Sequence, residues 1–402
     1  MESMKLILLS KNLGIIKKWS LNIDLARIGR CFINYRGDSM HKLGISIYPE
    51  HSTKSEIESY MKLASGYGFN RIFTCLLSVR KSKEEIIKEF TEFMELAHQY
   101  GFEVAVDTNP AVFKYLGATP FEIKPFADLG VDIIRLDGHF GDLEDIAITR
   151  NPYMIPIEFN GSSNMDLDLL VERGADRWNI VTCHNFYPQR YSGLGWKRFL
   201  NLTEKYKKSG FRTAAFVSSQ NKNTFGPWPV KAGLPTCEIH RNLPIDLQMR
   251  HLLATNIIDD IIIGNCFASE EELKLMSEVD CSKITFHIET VKDCTESERE
   301  LIFEYRHLSR GDASDYMIRS SWPRETYRNK SIPYREVEGD YFHKGDVVAV
   351  NDNLTHYRGE LQIVLQDMPN DGERNLIGKI PREEWILLEC ILPEYEFGFI
   401  NN

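Results

Sequence analysis

The sequence predicts an α/β chain: a (β/α)8 TIM barrel followed by a small, mostly β domain. Three observations carry this expectation. Eight short apolar, β-branched runs lie between residues 42 and 265; segments of helical period separate them; past residue 281 the strands are short and long helices are missing. Strands that alternate with helices pair in parallel through crossovers, and eight units of about 30 residues suit a closed barrel. An open doubly wound sheet is the competing arrangement, but no G-x-G-x-x-G follows any of the runs.

In order, the runs are "KLGISIY" (42–48), "RIFTCLL" (71–77), "EVAVDT" (103–108), "DIIRLD" (132–137), "MIPIEF" (154–159), "RWNIVTC" (177–183), "TAAFVSS" (213–219) and "DIIIGN" (260–265). The helical period is plainest in "SKEEIIKEFTEFMELAHQYG" (82–101), where Ile86, Phe90, Phe93 and Ala97 share a face. Beyond "EEELKLMSEVD" (270–280), strands are expected in "KITFHIET", "GDVVAVND", "RGELQIVLQDMPNDGERNLIGKI" and "WILLECIL", with turns at Asn351, Gly359 and 370–372. The expected boundaries are 40–281 for the barrel and 282–402 for the β domain. Residues 1–39 precede any strand-like run and are expected to be a disordered extension or the product of a start placed too far upstream; the RGD at 36–38 is short enough to arise by chance.

A formal net charge of -10 argues against nucleic acid or an anionic membrane as the main partner, and requires a locally basic site for any anionic ligand. The eight cysteines are scattered without a C-x-x-C pair, as expected of reduced thiols in a cytoplasmic protein. No apolar stretch approaches the roughly 20 residues that span a bilayer.

Barrel chemistry sits at the C-terminal ends of strands and in the loops after them. Reading those ends gives Ser46, Tyr48 and Glu50; Asp107 and Asn109; Asp137 and His139; Glu158 and Asn160; His184, Asn185 and Tyr187; Ser218 and Gln220; and Asn265. Asp137 and Asp107 also suit turn and helix caps. Glu158 is harder to dismiss, because a carboxylate in an apolar strand is costly without a partner. His139, His184 and His240 are far apart with no H-x-x-x-H or H-E-x-x-H, so no metal is expected. No strand end offers a lysine for Schiff-base chemistry, and no G-x-S-x-G or Walker loop is present. Carboxylates with Asn, His and aromatic neighbours suit a sugar. The loop at 218–243 is long for a βα connection and holds Trp228, Lys231, Glu238, His240 and Arg241, as a lid or binding element would.

"GISIYPE", "RLDGHF", "HNFYPQRYSGLGWKRF", "GLPTCEIHR", "DDIIIGN" and "RGELQI", in this order, resemble the 6-phospho-N-acetylmuramidase family (glycoside hydrolase family 170) from about residue 41 to 402. The resemblance implies a TIM barrel with a cyclophilin-like β domain and no metal or organic cofactor. It implies cytoplasmic hydrolysis of the β-1,4 bond of MurNAc-6-phosphate-GlcNAc during peptidoglycan recycling. The chain departs from the family pattern at "EFNGS", at Cys237 and at Asn265, where aspartate is usual. On this reading Glu238 is the general acid, its pKa raised on a mobile lid, and Asp137 is the nucleophile or base, with Asp107 and Glu158 as alternates. Tyr48, His184, Asn185, Tyr187 and His240 would line the sugar. Lys231 and Arg241 would meet its anionic groups, joined by Arg319 and Arg324 if the β domain leans over the mouth. The expected partner is a small phosphorylated amino-sugar disaccharide, with no nucleic acid, no membrane, and a homodimer as the possible assembly. A hydrolase for another phosphorylated disaccharide and a non-catalytic phosphosugar-binding protein are the competing readings.

Overall fold

Eight parallel strands close into a barrel in chain order: β1 (Lys42–Ser46), β2 (Arg71–Cys75), β3 (Glu103–Thr108), β4 (Ile133–Leu136), β5 (Ile157–Asn160), β6 (Ile180–Cys183), β7 (Arg212–Val217) and β8 (Asp260–Ile263), with β8 pairing back to β1. The computed structural model describes residues 41–75, 83–336 and 339–401. The expectation for residues 1–39, Cys31 and the last two residues of the second run lie outside them.

The strands are buried along nearly their whole length because helices cover the outside and side chains fill the inside. Outward-facing Ile45, Ile72, Val104 and Ile134 pack on helical residues such as Met61, Phe93 and Leu273. A smaller cluster of Tyr48, Phe73, Cys183, Phe216 and Ile262 plugs the interior toward the C-terminal ends. The strongly periodic segment is helical over Lys83–Gln99. Helices Lys54–Gly66 and Glu270–Ser277 start at capping boxes, Thr53 with Glu56 and Ser269 with Glu272.

Beyond the barrel a second, nearly closed sheet runs in the spatial order His307–Leu308, Glu396–Asn401, Ile284–Thr290, Arg374–Lys379, Asp346–Val350, Leu361–Val364, Met317–Ser320. "WILLECIL" departs from its expected strand: Trp385–Leu388 is a helical turn, entered through Pro381 and the acidic pair Glu383 and Glu384. The strand at this end is instead Glu396–Asn401, which pairs in parallel with Ile284–Thr290. Short apolar runs carry no length signal, and here the proline decided the outcome.

The barrel helix Ile245–Leu253 joins the two sheets, because Leu247 and the following Ala254 belong to the C-terminal core. Beside them Arg250 bonds Glu384 at 2.5 Å, Asp246 at 2.9 Å and the Thr285 carbonyl at 2.9 Å. Glu384 also accepts the backbone N–H of His287 at 2.8 Å. Burial opposes the Glu384 charge, but His287 and Arg250 outweigh it and hold the carboxyl below its ordinary value. Arg250→Met strands this buried carboxylate and is expected to cost about 3–5 kcal/mol. Thermal unfolding followed by circular dichroism checks this; an unchanged midpoint would discount the clamp.

Candidate active site

Parallel register places Asp107 of β3 beside Arg135 of β4, and Arg135 beside Glu158 of β5, all facing the barrel interior. Arg135 hydrogen-bonds Asp107, and its Nε stands 3.9 Å from Glu158 Oε1. Deeper in the barrel, Arg71 of β2 bonds both Glu158 and Asp260, the latter at 2.6 Å, and Arg212 also pairs with Asp260. Burial works against the charge of Arg71 and Arg135, yet the surrounding carboxylates raise both above the ordinary arginine value. Glu158 is therefore a fully buried counter-ion inside the barrel, out of reach of a ligand at the mouth, and its expected alternate catalytic role is corrected.

The rim above holds two carboxylates around one guanidinium nitrogen. Nη1 of Arg135 bonds Asp107 and lies 3.7 Å from Asp137, while Nη2 bonds the side-chain oxygen of Asn185. The shared nitrogen limits the separation of the two carboxylates to roughly one hydrogen bond plus one ion-pair length. That limit falls between the about 5–5.5 Å of a retaining glycosidase pair and the about 6.5–9.5 Å of an inverting one. Their environments differ sharply. Asp107 is buried, and burial, opposed by Arg135 and helped by the charge of Asp137, pushes its pKa up to about 6. The Asp137 side chain is 47% exposed, and Asn160 steadies its carbonyl at 3.3 Å. Phe73, Phe186 and Phe216 meet edge to face beneath this rim and give it an apolar floor.

"GLPTCEIHR" is an anchor rather than a mobile lid. Leu234, Thr236, Cys237 and His240 are fully buried, and Arg241 nearly so. Gly233 has φ +76, and a Cβ there would come within 2.4 Å of Ser218 Oγ; a Cβ on Gly264 would meet the Leu234 carbonyl at 2.5 Å. Only glycine permits either approach. Arg241 clamps Glu238 through both oxygens at 2.6 and 2.7 Å, and also bonds the carbonyls of Tyr187, Ala232 and Gln189. Glu238 in turn accepts the backbone N–H groups of Tyr191 and Gly193, each at 2.8 Å. The hydrogen bonds from Arg241 lower the Glu238 pKa to about 2; burial opposes them, and the two amides each add a smaller lowering. This reverses the expected raised value: the carboxylate is a staple between the β6 and β7 loops, in the wrong protonation state for an acid. Arg241 has its donors engaged by Glu238 and by backbone carbonyls.

Other expected residues separate in the same way. Tyr48 is buried and donates its hydroxyl to the Gly264 carbonyl at 2.7 Å. His184 bonds Thr203 at 2.9 Å, and burial, then Arg135, lowers its pKa to about 3. His240 is buried against His251 at 2.9 Å. These three form wall, not ligand surface, and their expected contact with sugar is corrected. Arg319 pairs with Asp312 at 3.0 Å, and Arg324 donates to the His356 carbonyl at 2.8 Å; both sets of partners lie in the C-terminal β region. Asn265 is buried, accepting the Ser219 N–H at 2.8 Å and donating to the Ser219 carbonyl at 3.0 Å, a donation that an aspartate side chain would not make at neutral pH.

Asn185, Tyr187 and Lys231 keep partial or full exposure at the β6 and β7 loops. Lys231 lines a cavity of about 520 Å³ with Arg190, Lys222, Ser219 and Gln220. Next to Arg190 stands Tyr191, 90% exposed and held at φ +67, a conformation that costs a non-glycine residue about 1–2 kcal/mol. Arginines 71 and 135 were missed from sequence although the signal was there: a charge inside an apolar strand, the same signal that drew attention to Glu158.

Two family models match nearly the whole of the described chain: 6-phospho-N-acetylmuramidase, N-terminal, over residues 43–278, and 6-phospho-N-acetylmuramidase, C-terminal, over 284–400. The chain belongs to the 6-phospho-N-acetylmuramidase family. The family is that of a glycosidase, which agrees with the motifs and with paired carboxylates at a barrel rim. Among solved structures, an uncharacterized B. cereus protein is 41% identical, with a TM-score of 0.82 over 90% of this chain and 99% of that one. A conserved Enterococcus faecalis protein of unknown function is 23% identical, with a TM-score of 0.64 over 90% of this chain and 96% of that one, a likeness of fold. No protein with a curated description matches the chain.

Proposed function

We propose that this 6-phospho-N-acetylmuramidase family member hydrolyses the β-1,4 bond of MurNAc-6-phosphate-GlcNAc in the cytoplasm, during peptidoglycan recycling. The observation that carries the reading is the Asp107 and Asp137 pair around Arg135, one carboxyl buried with a raised pKa and the other half-exposed. Asp107 holds the proton and gives it to the glycosidic oxygen as the bond to the anomeric carbon breaks. Asp137 attacks that carbon and forms a glycosyl ester. Water then cleaves the ester, losing its proton to Asp107. Arg135 lies between the two carboxylates, 3.7 Å from Asp137. Arg190, Lys222 and Lys231 supply the local positive charge that a phosphate and a lactyl carboxylate require of an acidic protein. Asn185, Tyr187 and Tyr191 border the sugar.

The test is GlcNAc release from the phosphorylated disaccharide by purified protein, with the unphosphorylated disaccharide alongside. Release from neither substrate would defeat the reading, and equal release from both would remove the role given to the cations. With Asp107 as the acid, kcat is expected to fall about tenfold per pH unit above a break near 6. The stability effect has the same direction: because the folded pKa is raised, the contribution of Asp107 is full below about 4 and is lost as pH climbs through about 6. Rates that stay level from pH 5 to 9 would remove Asp107 from the mechanism.

A further inference from the structure

Arg324 and its neighbours in the C-terminal β region line a cavity of their own. It encloses about 860 Å³, within the about 300–1,000 Å³ typical of small-ligand sites, and is lined by Ser321, Trp322, Arg324, Arg328, His356 and Arg358, with Thr355 and Glu325 completing it. Every lining residue belongs to the C-terminal β region, so the cavity is separate from the rim carboxylates. Three guanidiniums line it, each with a carboxylate beside it: Glu360 by Arg324, Glu325 by Arg328 and Asp352 by Arg358.

Its central arginine is built in rather than draped over the surface. The Arg324 guanidinium stacks 4.4 Å from the Tyr357 ring, donates through Nη2 to the His356 carbonyl, and lies with Nη1 3.6 Å from the buried Glu360 carboxylate. Held on three sides, with its Nη1 donors making no hydrogen bond to a described residue, it loses little freedom when it meets an anion. Arg358 is similarly fixed by the carbonyls of Tyr327 and Arg328 and by Asp352. Arg328 is mostly exposed and only 3.8 Å from Glu325, which leaves it free to adapt. Trp322 is 55% exposed, with the Arg306 guanidinium over its ring at 5.6 Å. A guanidinium fork suits a phosphate, an indole suits the apolar face of a sugar ring, and the hydroxyls of Ser321 and Thr355 suit ring hydroxyls.

We infer that this cavity is a non-catalytic binding site for a monosaccharide phosphate. A sugar supplies the apolar face and hydroxyls together, whereas an inorganic anion would leave Trp322 unused. The site does not depend on which bond the barrel cleaves.

The experiment titrates the full chain with N-acetylglucosamine 6-phosphate, followed by calorimetry and tryptophan emission, with N-acetylglucosamine and inorganic phosphate as comparison ligands. Saturable binding is expected, tighter for the sugar phosphate than for either part. Arg324→Met is expected to weaken it at least about tenfold, the size of one charge-assisted hydrogen bond. Arg328→Met, at an exposed position that cannot unfold the chain, is expected to weaken it severalfold. Trp322→Phe should remove the emission change, and Lys231→Met at the barrel mouth should leave the binding intact. No saturable heat at millimolar ligand would overturn the inference. So would binding that ignores both arginine variants, or that Lys231→Met abolishes, because either places the phosphate elsewhere. Inorganic phosphate binding as tightly as the sugar phosphate would reduce the cavity to an anion site and reject the sugar. GlcNAc release measured on the same variants keeps this outcome apart from the hydrolase reading.

Discussion

Asp137→Asn is expected to lower kcat on MurNAc-6-phosphate-GlcNAc by about 10²–10⁴-fold while leaving the unfolding midpoint within a degree or two of the parent. The side chain is half-exposed and only 3.7 Å from Arg135, so its removal leaves no buried group stranded. Asp107→Asn is expected to lose activity over the same range and, in addition, to erase the alkaline limb of the pH profile, because the group responsible for it is gone. The double variant should be little worse than either single one, since both carboxylates act in one bond cleavage. Steady-state assays across pH 5 to 9 check all three. If Asp137→Asn retained more than about a tenth of parental kcat, the exposed partner would have to be sought elsewhere on the rim.

Arg241→Met has the opposite signature. It strands Glu238, which keeps only two amide donors, and leaves the carbonyls of Tyr187, Gln189 and Ala232 without their guanidinium. Because the Glu238 side chain is 26% exposed, losing its guanidinium partner is expected to cost about 1–3 kcal/mol. Glu238→Gln should act in the same direction, because a carboxamide nitrogen would face donors already pointing at that site: Arg241 and either Tyr191 or Gly193. Both variants are expected to unfold several degrees earlier and to lose hydrogen-exchange protection over 187–193, with KM raised more than kcat falls. A Glu238→Gln protein that keeps its stability and loses the alkaline limb instead would restore that carboxylate as the acid.

Most of the scaffold was legible because a buried parallel strand announces itself by composition: "EVAVDT" and "DIIIGN" have no other comfortable structure. The rim was legible in part. Asp107 and Asp137 follow from being at strand ends, but their inequality depends on Arg135, whose reach sideways to both is a matter of register. The nine residues at 233–241 misled for a related reason. Three polar residues behind a glycine and a proline look like surface, and nothing linear shows that Arg241 closes on Glu238 three residues earlier, or that the imidazole of His240 is buried edge-on to Trp196. Tyr191 and Arg190 gave no signal at all, since an exposed aromatic beside an arginine is ordinary loop composition until backbone strain marks it.

The bare Cα atoms at positions 193, 233 and 264 set terms for retargeting this enzyme. One connection combines two materials: open positions at Lys222, Asn223, Trp228, Pro229 and Lys231 that can be rewritten, and close-packed ones, from Gly226 and Pro227 to most of 233–241, where an added methyl on Gly226 or Gly233 would meet a neighbour. Libraries that randomise the first and spare the second keep the scaffold folded while new specificities are sampled; those that treat the whole connection as one variable loop would mostly harvest unfolded chains.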